Sequence, residues 1–243
     1  MMIHFDDVYK RFGLKRVLNG LTFSVAKGEI FFILGRSGTG KSVSLKHMVG
    51  LLSPDQGKIW IDDEEISSYS EEDFVHIRKK CGLVFQLPAL VDSRSLYENL
   101  VMGIRHLSTD EKKKRISTTL HAVGLQSLEP VLFERFPPSL SYGEQKRLAL
   151  ARTLLPDPEI LLYDEPTTGL DPVTAKHIHE LIRSISKDFG KTSIVVSHDM
   201  RNALATADRL AVLDAGRVVD QGTPEEIRNS RVVMTMAFLE DLV

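Results

Sequence analysis

The sequence has little of what marks a secreted, membrane-spanning or nucleic-acid-binding protein. Its 243 residues include one cysteine, Cys81, so an intrachain disulfide is excluded and a reducing compartment is expected. No stretch approaches the roughly 20 apolar residues that span a membrane, and the N-terminus lacks the apolar segment of a secretory signal. The 31 basic and 33 acidic side chains give a net charge of −2, so nucleic acid is not an expected partner.

What the sequence does contain is an alternation of short apolar strands with helical patterns, which predicts an α/β fold with a mainly parallel sheet. Residues 29–34 form a nearly all-apolar strand of the kind that is covered on both faces. Residues 87–140 carry helix signals without convincing strands, and Thr109 is predicted to cap one of the helices. With the helical pattern that continues to residue 155, they predict a helical subdomain, at about 87–155, inserted in the core.

The segment after that apolar strand fits the phosphate-binding pattern G-x-x-x-x-G-K-[ST] in full. Its glycines let the loop fold tightly, so that backbone N–H groups point at phosphate oxygens, and a helix begins inside it. The lysine is predicted to bind the β- and γ-phosphates and the final serine to bind Mg²⁺. The motif residues are Gly35, Arg36, Ser37, Gly38, Thr39, Gly40, Lys41 and Ser42. The pattern alone defines a P-loop NTPase and leaves kinases, GTPases, helicases and transport ATPases open.

Two acids end another apolar strand, at residues 160–165. Charged side chains at the mouth of a buried strand are costly unless they meet a cation or a ligand. Asp164 is therefore predicted to hold Mg²⁺, directly or through water. Glu165 stands one residue further along and is the predicted general base for a water molecule that attacks the γ-phosphate.

Motifs beyond the helical insertion narrow the class. Residues 140–144 read Leu-Ser-Tyr-Gly-Glu, residues 164–167 Asp-Glu-Pro-Thr, residues 169–171 Gly-Leu-Asp and residues 197–199 Ser-His-Asp. In this order they resemble the motifs of the ABC (ATP-binding cassette) transporter ATPases, a resemblance that covers residues 2–225. It implies a RecA-like core with an N-terminal antiparallel β-subdomain, an ABC domain over residues 1–225 and a C-terminal helical tail over residues 226–243. ATP and Mg²⁺ are the implied cofactors, and ATP hydrolysis coupled to transport is the implied activity.

The resemblance also implies roles for single residues. Gln86 is expected to contact Mg²⁺ or the attacking water and to sense the membrane partner. Asp171 is expected to cross a dimer interface. His198 is expected to touch the γ-phosphate and to position the catalytic carboxylate. Phe12 is expected to stack on adenine, with Tyr9 as the competing candidate.

The family forms its sites from two copies of the cassette. Ser141, Gly143 and Glu144, at the start of a helix, are expected to bind the γ-phosphate of ATP held by the second copy, so that a homodimer closes around two ATP molecules. Tyr142 and Glu144 depart from the common Leu-Ser-Gly-Gly-Gln, and Glu144 brings a negative charge near the nucleotide.

Within the family, the chain resembles the Mla-type phospholipid-transport ATPases of bacteria with an outer membrane. The resemblance rests on Arg36 and Val43 together with Leu-Lys-His-Met at residues 45–48 and Gly-Leu-Leu at residues 50–52. Val43 is counted with the nucleotide-binding residues. The resemblance implies integral-membrane permease subunits, a lipid-binding substrate protein, a small regulatory subunit and a cytoplasmic position on the inner membrane. The permease is expected to dock at about residues 86–105, with Leu87, Leu90, Leu96 and Tyr97 as the candidate contacts.

Three alternatives stay open. An ATPase of an amino-acid importer, branched-chain or polar, is the nearest, since substrate is not recognised by this subunit. A soluble ABC ATPase that acts on ribosomes or DNA is disfavoured, because the chain has neither a second cassette nor a long coiled coil. An inert cassette is disfavoured because Lys41, Asp164, Glu165 and His198 are all present.

Overall fold

A computed structural model describes residues 1–240. The strands are β1 (Ile3–Phe12), β2 (Lys15–Val25), β3 (Ile30–Leu34), β4 (Gln56–Ile61), β5 (Glu64–Glu65), β6 (Cys81–Val84), β7 (Ile160–Asp164), β8 (Thr192–Ser197), β9 (Arg209–Asp214) and β10 (Arg217–Gly222). The α-helices are α1 (Lys41–Met48), α2 (Phe74–Lys80), α3 (Leu96–Leu100), α4 (Thr109–Ala122), α5 (Tyr142–Leu154), α6 (Pro172–Asp188), α7 (Met200–Thr206), α8 (Pro224–Arg228) and α9 (Val233–Glu240). Of the predicted tail, residues 241–243 lie outside the described range.

The strands form two sheets. An antiparallel sheet has the order β2-β1-β4-β5, and a larger sheet has the order β10-β9-β3-β8-β7-β6. In the larger sheet β9, β3, β8, β7 and β6 are parallel, and only the edge strand β10 is antiparallel. Every residue of β3 and β8 is buried, as expected for parallel strands covered on both faces. The predicted fold, a mainly parallel core with an N-terminal antiparallel β-subdomain and a helical insertion, is confirmed.

The two sheets are joined by their backbones. The amide of Asn19, in β2, donates a hydrogen bond of 3.0 Å to the carbonyl of Gly216, in the turn between β9 and β10. Arg217 Nε donates to the carbonyl of Asn19 at 2.6 Å. A Cβ atom at position 216 would lie 2.4 Å from the carbonyl oxygen of Val17, so only glycine allows this approach. The antiparallel sheet is thereby fixed to the core.

The helical insertion follows β6 and contains α3, α4 and α5. The predicted cap of α4 was one residue too late. Ser108, not Thr109, is the N-cap, and it forms a capping box with Glu111. The sequence also gave no signal for α2, whose seven residues lie directly before β6. Within residues 1–240 no helix is both long enough and apolar enough to cross a membrane.

Candidate nucleotide-binding site

The phosphate-binding loop connects the end of β3 to the start of α1. Gly40 has a φ of 108°, and a Cβ there would lie 2.7 Å from Leu18 Cδ2, so the loop requires glycine at this position. Lys41 is buried, and its ammonium group donates to the loop carbonyls of Gly35 at 2.7 Å and Arg36 at 3.1 Å. The loop and its lysine therefore form one compact unit at the carboxyl edge of the sheet, where α/β folds bind ligands.

A cavity of about 360 Å³ lies between the P-loop and the hairpin of β1 and β2. Phe12, at the end of β1, is 47% exposed and lines this cavity. Tyr9 lies on the sheet instead, where its hydroxyl approaches Gly20. The cavity thus favours Phe12 over Tyr9 as the adenine contact. Its lining residues are Phe12, Lys15, Val17, Gly38, Gly40, Lys41, Ser42 and Val43.

Lys15 and Val17 are lining residues that the sequence analysis did not single out. They follow Phe12 across the two-residue turn of the hairpin, because β1 and β2 extend to Phe12 and from Lys15. The apolar patterns at residues 3–8 and 21–25 do not extend to these positions, so the sequence alone does not place them in a strand. Only the hairpin pairing, Phe12 opposite Lys15, brings them to the cavity.

Ser42 and Asp164 meet at the end of β7. The hydroxyl of Ser42 donates to Asp164 Oδ1 at 2.6 Å. A hydroxyl and a carboxylate side by side are hard oxygen donors of the kind Mg²⁺ takes, together with phosphate oxygens and water. These two residues therefore fit the predicted metal. Gln86 is exposed, and its backbone carbonyl accepts a hydrogen bond from Lys146 at 2.9 Å. Binding of Mg²⁺ by the Gln86 side chain stays a prediction.

The carboxylate of Glu165 lies between two cationic or proton-donating groups. Lys41 Nζ is 3.3 Å from Glu165 Oε1, and His198 Nδ1 is 2.8 Å from Glu165 Oε2. An ionised carboxylate only accepts, so the Nδ1 atom of His198 carries the proton of this hydrogen bond. Glu165 also has a φ of 48°, an uncommon backbone conformation for this residue type. Glu165, the predicted base, and His198, the histidine predicted to position it, are thus in contact.

Residues 140–144, called the signature below, lie at the start of α5. Ser141 is the N-cap, and its hydroxyl and amide both donate to Glu144 Oε2, at 2.7 and 2.8 Å. These hydrogen bonds lower the pKa of Glu144. The carboxylate of Glu144 therefore lies at the positive end of the helix. Asp171 has a similar place at α6, where it accepts hydrogen bonds from the amides of Val173 and Thr174, each at 3.0 Å.

A second cavity, of about 920 Å³, opens beside the first along the P-loop. It brings the loop residues Arg36 and Ser37 together with His198 and with the segment after Glu165, which includes Gly169 and Leu170. Among the described residues that line either cavity, none belongs to the signature, residues 140–144. The P-loop, the acids and the histidine therefore lie together, whereas the signature lines neither cavity; its Tyr142 ring lies near Gly169, which lines the second.

Lys146 is a residue near the site that the sequence reasoning assigned no role. It lies in α5 and is 6% exposed. Its ammonium group donates to the carbonyls of Gln86 and Pro166, each at 2.9 Å. Burial lowers the pKa of Lys146 to about 8, although the charge of Glu165 opposes this shift. No local pattern identifies such a residue, because both of its partners are distant in sequence.

Fold and site together define a P-loop NTPase domain with an inserted helical subdomain. The family model described as ABC transporter matches residues 18–168, more than half of the chain. The chain belongs to the ABC transporter family and has the fold of its ATPase domain. The predicted class, an ABC ATPase, is confirmed at this level.

Known relatives and a solved structure agree with this assignment. A methionine import ATP-binding protein, MetN of Rhizobium johnstonii, is 37% identical over 91% of this chain and 60% of its own length. Protein TRIGALACTOSYLDIACYLGLYCEROL 3, chloroplastic, of Arabidopsis thaliana is 40% identical over 95% of this chain and 71% of its own. The ATP-binding cassette MJ0796, solved as a dimer bound to ADP and Pi, has a TM-score of 0.81 at 30% identity and covers 92% of this chain and 99% of its own. The chain thus spans 60% of the length of the methionine relative.

Proposed function

We propose that this chain binds and hydrolyses ATP and thereby powers an ABC transporter. The observation that carries the proposal is the placement of Glu165 between Lys41, at 3.3 Å, and His198, at 2.8 Å. It joins a phosphate-binding lysine that lines the smaller cavity, a carboxylate, and a histidine that lines the larger cavity. That arrangement supplies a binding group, a base and a group that orients the base, which phosphoryl transfer to water requires.

Each residue has a distinct task in this proposal. Phe12 stacks on the base, and the P-loop amides with Lys41 hold the phosphates. Glu165 accepts a proton from the water that attacks the γ-phosphate, and the Nδ1–H group of His198 fixes the orientation of its carboxylate. Ser42 and Asp164 would hold Mg²⁺, which neutralises charge on the phosphates when it is bound.

Among the described residues, none of the signature lines either cavity, which supports a site completed by a second copy. In such a homodimer, Ser141 and Gly143 of one chain would contact the γ-phosphate bound by the other, the charge of Glu144 would lie near that phosphate, and Asp171 would lie at the interface. MJ0796, which is 30% identical, was solved as a dimer. Shared contacts with the nucleotide would close the dimer, and hydrolysis would open it.

The test of the catalytic assignment is Glu165→Gln. The amide keeps the size and the hydrogen-bonding capacity of the side chain but cannot accept the proton from water. We expect kcat to fall on the order of 10²–10⁴-fold, the range for general base catalysis, with ATP binding retained. Glu159→Gln, at the opposite end of β7, is the matched control and should hydrolyse ATP like the wild type. Hydrolysis by Glu165→Gln at the wild-type rate would contradict the proposal.

The proposed membrane partner would dock on the exposed apolar side chains near the helical insertion. Phe85 and Leu87 follow β6, and Met102, Phe133 and Phe136 belong to the insertion; all five are exposed. Leu90 and Tyr97 are partly buried against the core. Leu96 is fully buried, so the expectation that it faces this groove was wrong. Docking there would hold the chain on the cytoplasmic side of an inner membrane through permease subunits.

For the transported substrate we propose lipid, in an Mla-like system with a lipid-binding protein and a regulatory subunit. Support comes from the resemblance at Arg36 and Val43, and from a 40% identical relative whose name is that of a galactolipid. Amino-acid import is the second candidate, because a methionine import protein is 37% identical. Purification of the chain with its membrane partners, followed by identification of bound lipids and proteins, separates the two. A partner complex that binds methionine and contains no lipid-binding protein would contradict the lipid proposal.

A further inference from the structure

Among the described residues two lysines are buried, Lys41 and Lys146. The burial of Lys41 is accounted for by the phosphates that it is proposed to bind. Lys146 lies outside both cavities of the nucleotide site. Within the described residues no carboxylate lies within ion-pair distance of it. A buried ammonium group without an ion-pair partner is costly, so its presence calls for an explanation beyond packing.

The position of Lys146 relative to the sheet gives that explanation. Strands β6 and β7 are parallel neighbours, with Val84 opposite Tyr163. Gln86 and Pro166 each follow the end of one of these strands by two residues. Lys146 Nζ donates to both carbonyls at 2.9 Å and so joins the two strand ends across the carboxyl edge of the sheet.

Each of these strand ends carries a residue proposed to act on the attacking water. Gln86 is itself one of them. Pro166 is joined by its peptide bond to Glu165, whose backbone has a φ of 48°. An uncommon backbone conformation persists only where the surroundings hold it. The hydrogen bond from Lys146 to the carbonyl of Pro166 is one such restraint.

The helix that carries Lys146 also begins with the signature. Ser141 is the N-cap of α5, and Lys146 lies five residues further along the same helix. The ring of Tyr142 lies 5.3 Å from the ammonium group. A displacement of α5 that moves Ser141 therefore moves Lys146 with it, because a helix of this length is a rigid unit.

We propose that Lys146 is a positioning residue, which couples the placement of the signature helix to that of Glu165 and Gln86. This inference rests on the proposed ATPase function. Engagement of Ser141 by a nucleotide would set the position of α5, and Lys146 would transmit that position to the two strand ends.

Arg152, on the same helix, provides a comparison. It donates to the carbonyl of Ala89 at 2.8 Å and to that of Pro88 at 3.3 Å. Both side chains therefore hold the segment after β6, but only Lys146 also reaches Pro166. Replacement of Arg152 removes restraints on that segment only. Replacement of Lys146 also removes the hydrogen bond to Pro166, the residue after Glu165.

The experiment measures kcat and KM for MgATP, MgATP binding and thermal unfolding on the full chain. The variants are Lys146→Met, Lys146→Arg, Arg152→Met, the surface control Lys113→Met and Glu165→Gln. Because a displacement of about 1 Å costs on the order of 10² in rate, we expect Lys146→Met to lower kcat by that factor. KM should change less than about threefold, since the phosphate contacts remain, and Lys146→Arg should recover part of kcat. Lys146→Ala, which also lacks N–H donors, replaces the methionine variant if that variant does not fold.

A kcat of Lys146→Met within twofold of the wild type would overturn the inference. So would a loss of kcat that Arg152→Met reproduces in full, or one that follows a loss of folded protein. A different result would contradict the proposed ATPase function: a wild-type chain that hydrolyses ATP no faster than Glu165→Gln. If the wild type has a higher kcat than Glu165→Gln but Lys146→Met has the kcat of the wild type, only the role of Lys146 is contradicted.

Discussion

Lys41 Nζ lies 3.3 Å from Glu165 Oε1, so the lysine of the P-loop and the carboxylate after β7 form an ion pair. The two residues are 124 positions apart in the sequence. Both are largely buried, with side-chain exposures of 6% and 13%. Because little water surrounds the two groups, the attraction between their charges is screened only weakly. A triphosphate that binds Lys41 must therefore compete with Glu165 for the ammonium group.

Lys41→Met tests the phosphate-binding role. Removal of the ammonium group leaves the γ-phosphate without its point charge, so we expect kcat to fall on the order of 10²–10³-fold and ATP affinity to weaken. Lys46→Met, an exposed lysine on the same helix, is the control. ATP affinity and turnover measured by isothermal titration and phosphate release decide the matter. Equal results for the two variants would remove Lys41 from the site.

Phe12→Ala tests the adenine contact. Loss of one aromatic stacking partner costs about 1–3 kcal/mol, so ATP affinity should fall on the order of 5- to 150-fold. Binding of inorganic triphosphate should not change, because it has no base. Leu14→Ala, on the same hairpin and fully exposed, should behave like the wild type. A weaker affinity for triphosphate as well as ATP would point to damage of the P-loop instead.

Glu144→Gln tests the charge in the signature. Glutamine can keep the capping box with Ser141 while it removes the negative charge from the place where the partner's γ-phosphate is proposed to bind. We expect ATP-dependent dimers, measured by sedimentation in a Glu165→Gln background, to form at several-fold lower concentration. Glu111→Gln changes the equivalent capping box of α4 and serves as the matched control. A dimer weakened by Glu144→Gln would show that the carboxylate contributes to the interface.

Glu64→Gln tests a charge cluster between the antiparallel sheet and α2. Glu64 accepts hydrogen bonds from Lys80, at 2.9 Å, His76, at 2.6 Å, and Tyr69, at 3.1 Å, which lower its pKa to about 2. A lowered pKa in the folded chain means that Glu64 stabilises it above pH of about 4.5 and loses this effect as the pH falls toward about 2. Because the group is partly exposed, we expect a difference of about 1 kcal/mol at neutral pH.

Urea unfolding of Glu64→Gln and of the wild type at a series of pH values measures this difference. The gap between the two chains should narrow as the pH falls below 4.5, the ordinary pKa of the carboxyl group. Glu65→Gln, which loses only an exposed pair with Lys58, is the control and should show a smaller gap. A gap for Glu64→Gln that stays constant with pH would contradict the electrostatic explanation.

Local patterns were sufficient for the parts of the site that are continuous in sequence. The P-loop could be predicted because a strand, its glycines and a helix follow one another, and Asp164 and Glu165 because they end an apolar strand. The burial of Cys81, which raises the pKa of its thiol to about 12, was also predictable from the apolar run that follows it.

Features that depend on long-range contacts could not be predicted in this way. Lys146 looks like an ordinary polar position of a helix, and only the neighbouring ends of β6 and β7 give it partners. The short α2 has three basic residues in its last turn, and its pattern is too brief to identify a helix. Lys15 became a lining residue only through the register of the β1–β2 hairpin.

The backbone link between Asn19 and Gly216 also bears on the length of nucleotide that the proposed site would accept. Phe12 belongs to the sheet on one side of that link, and the P-loop follows a strand on the other. The distance between the proposed adenine contact and the P-loop therefore depends on main-chain geometry as well as on the Phe12 side chain. Ligands with a longer or shorter polyphosphate should lose one of these two contacts.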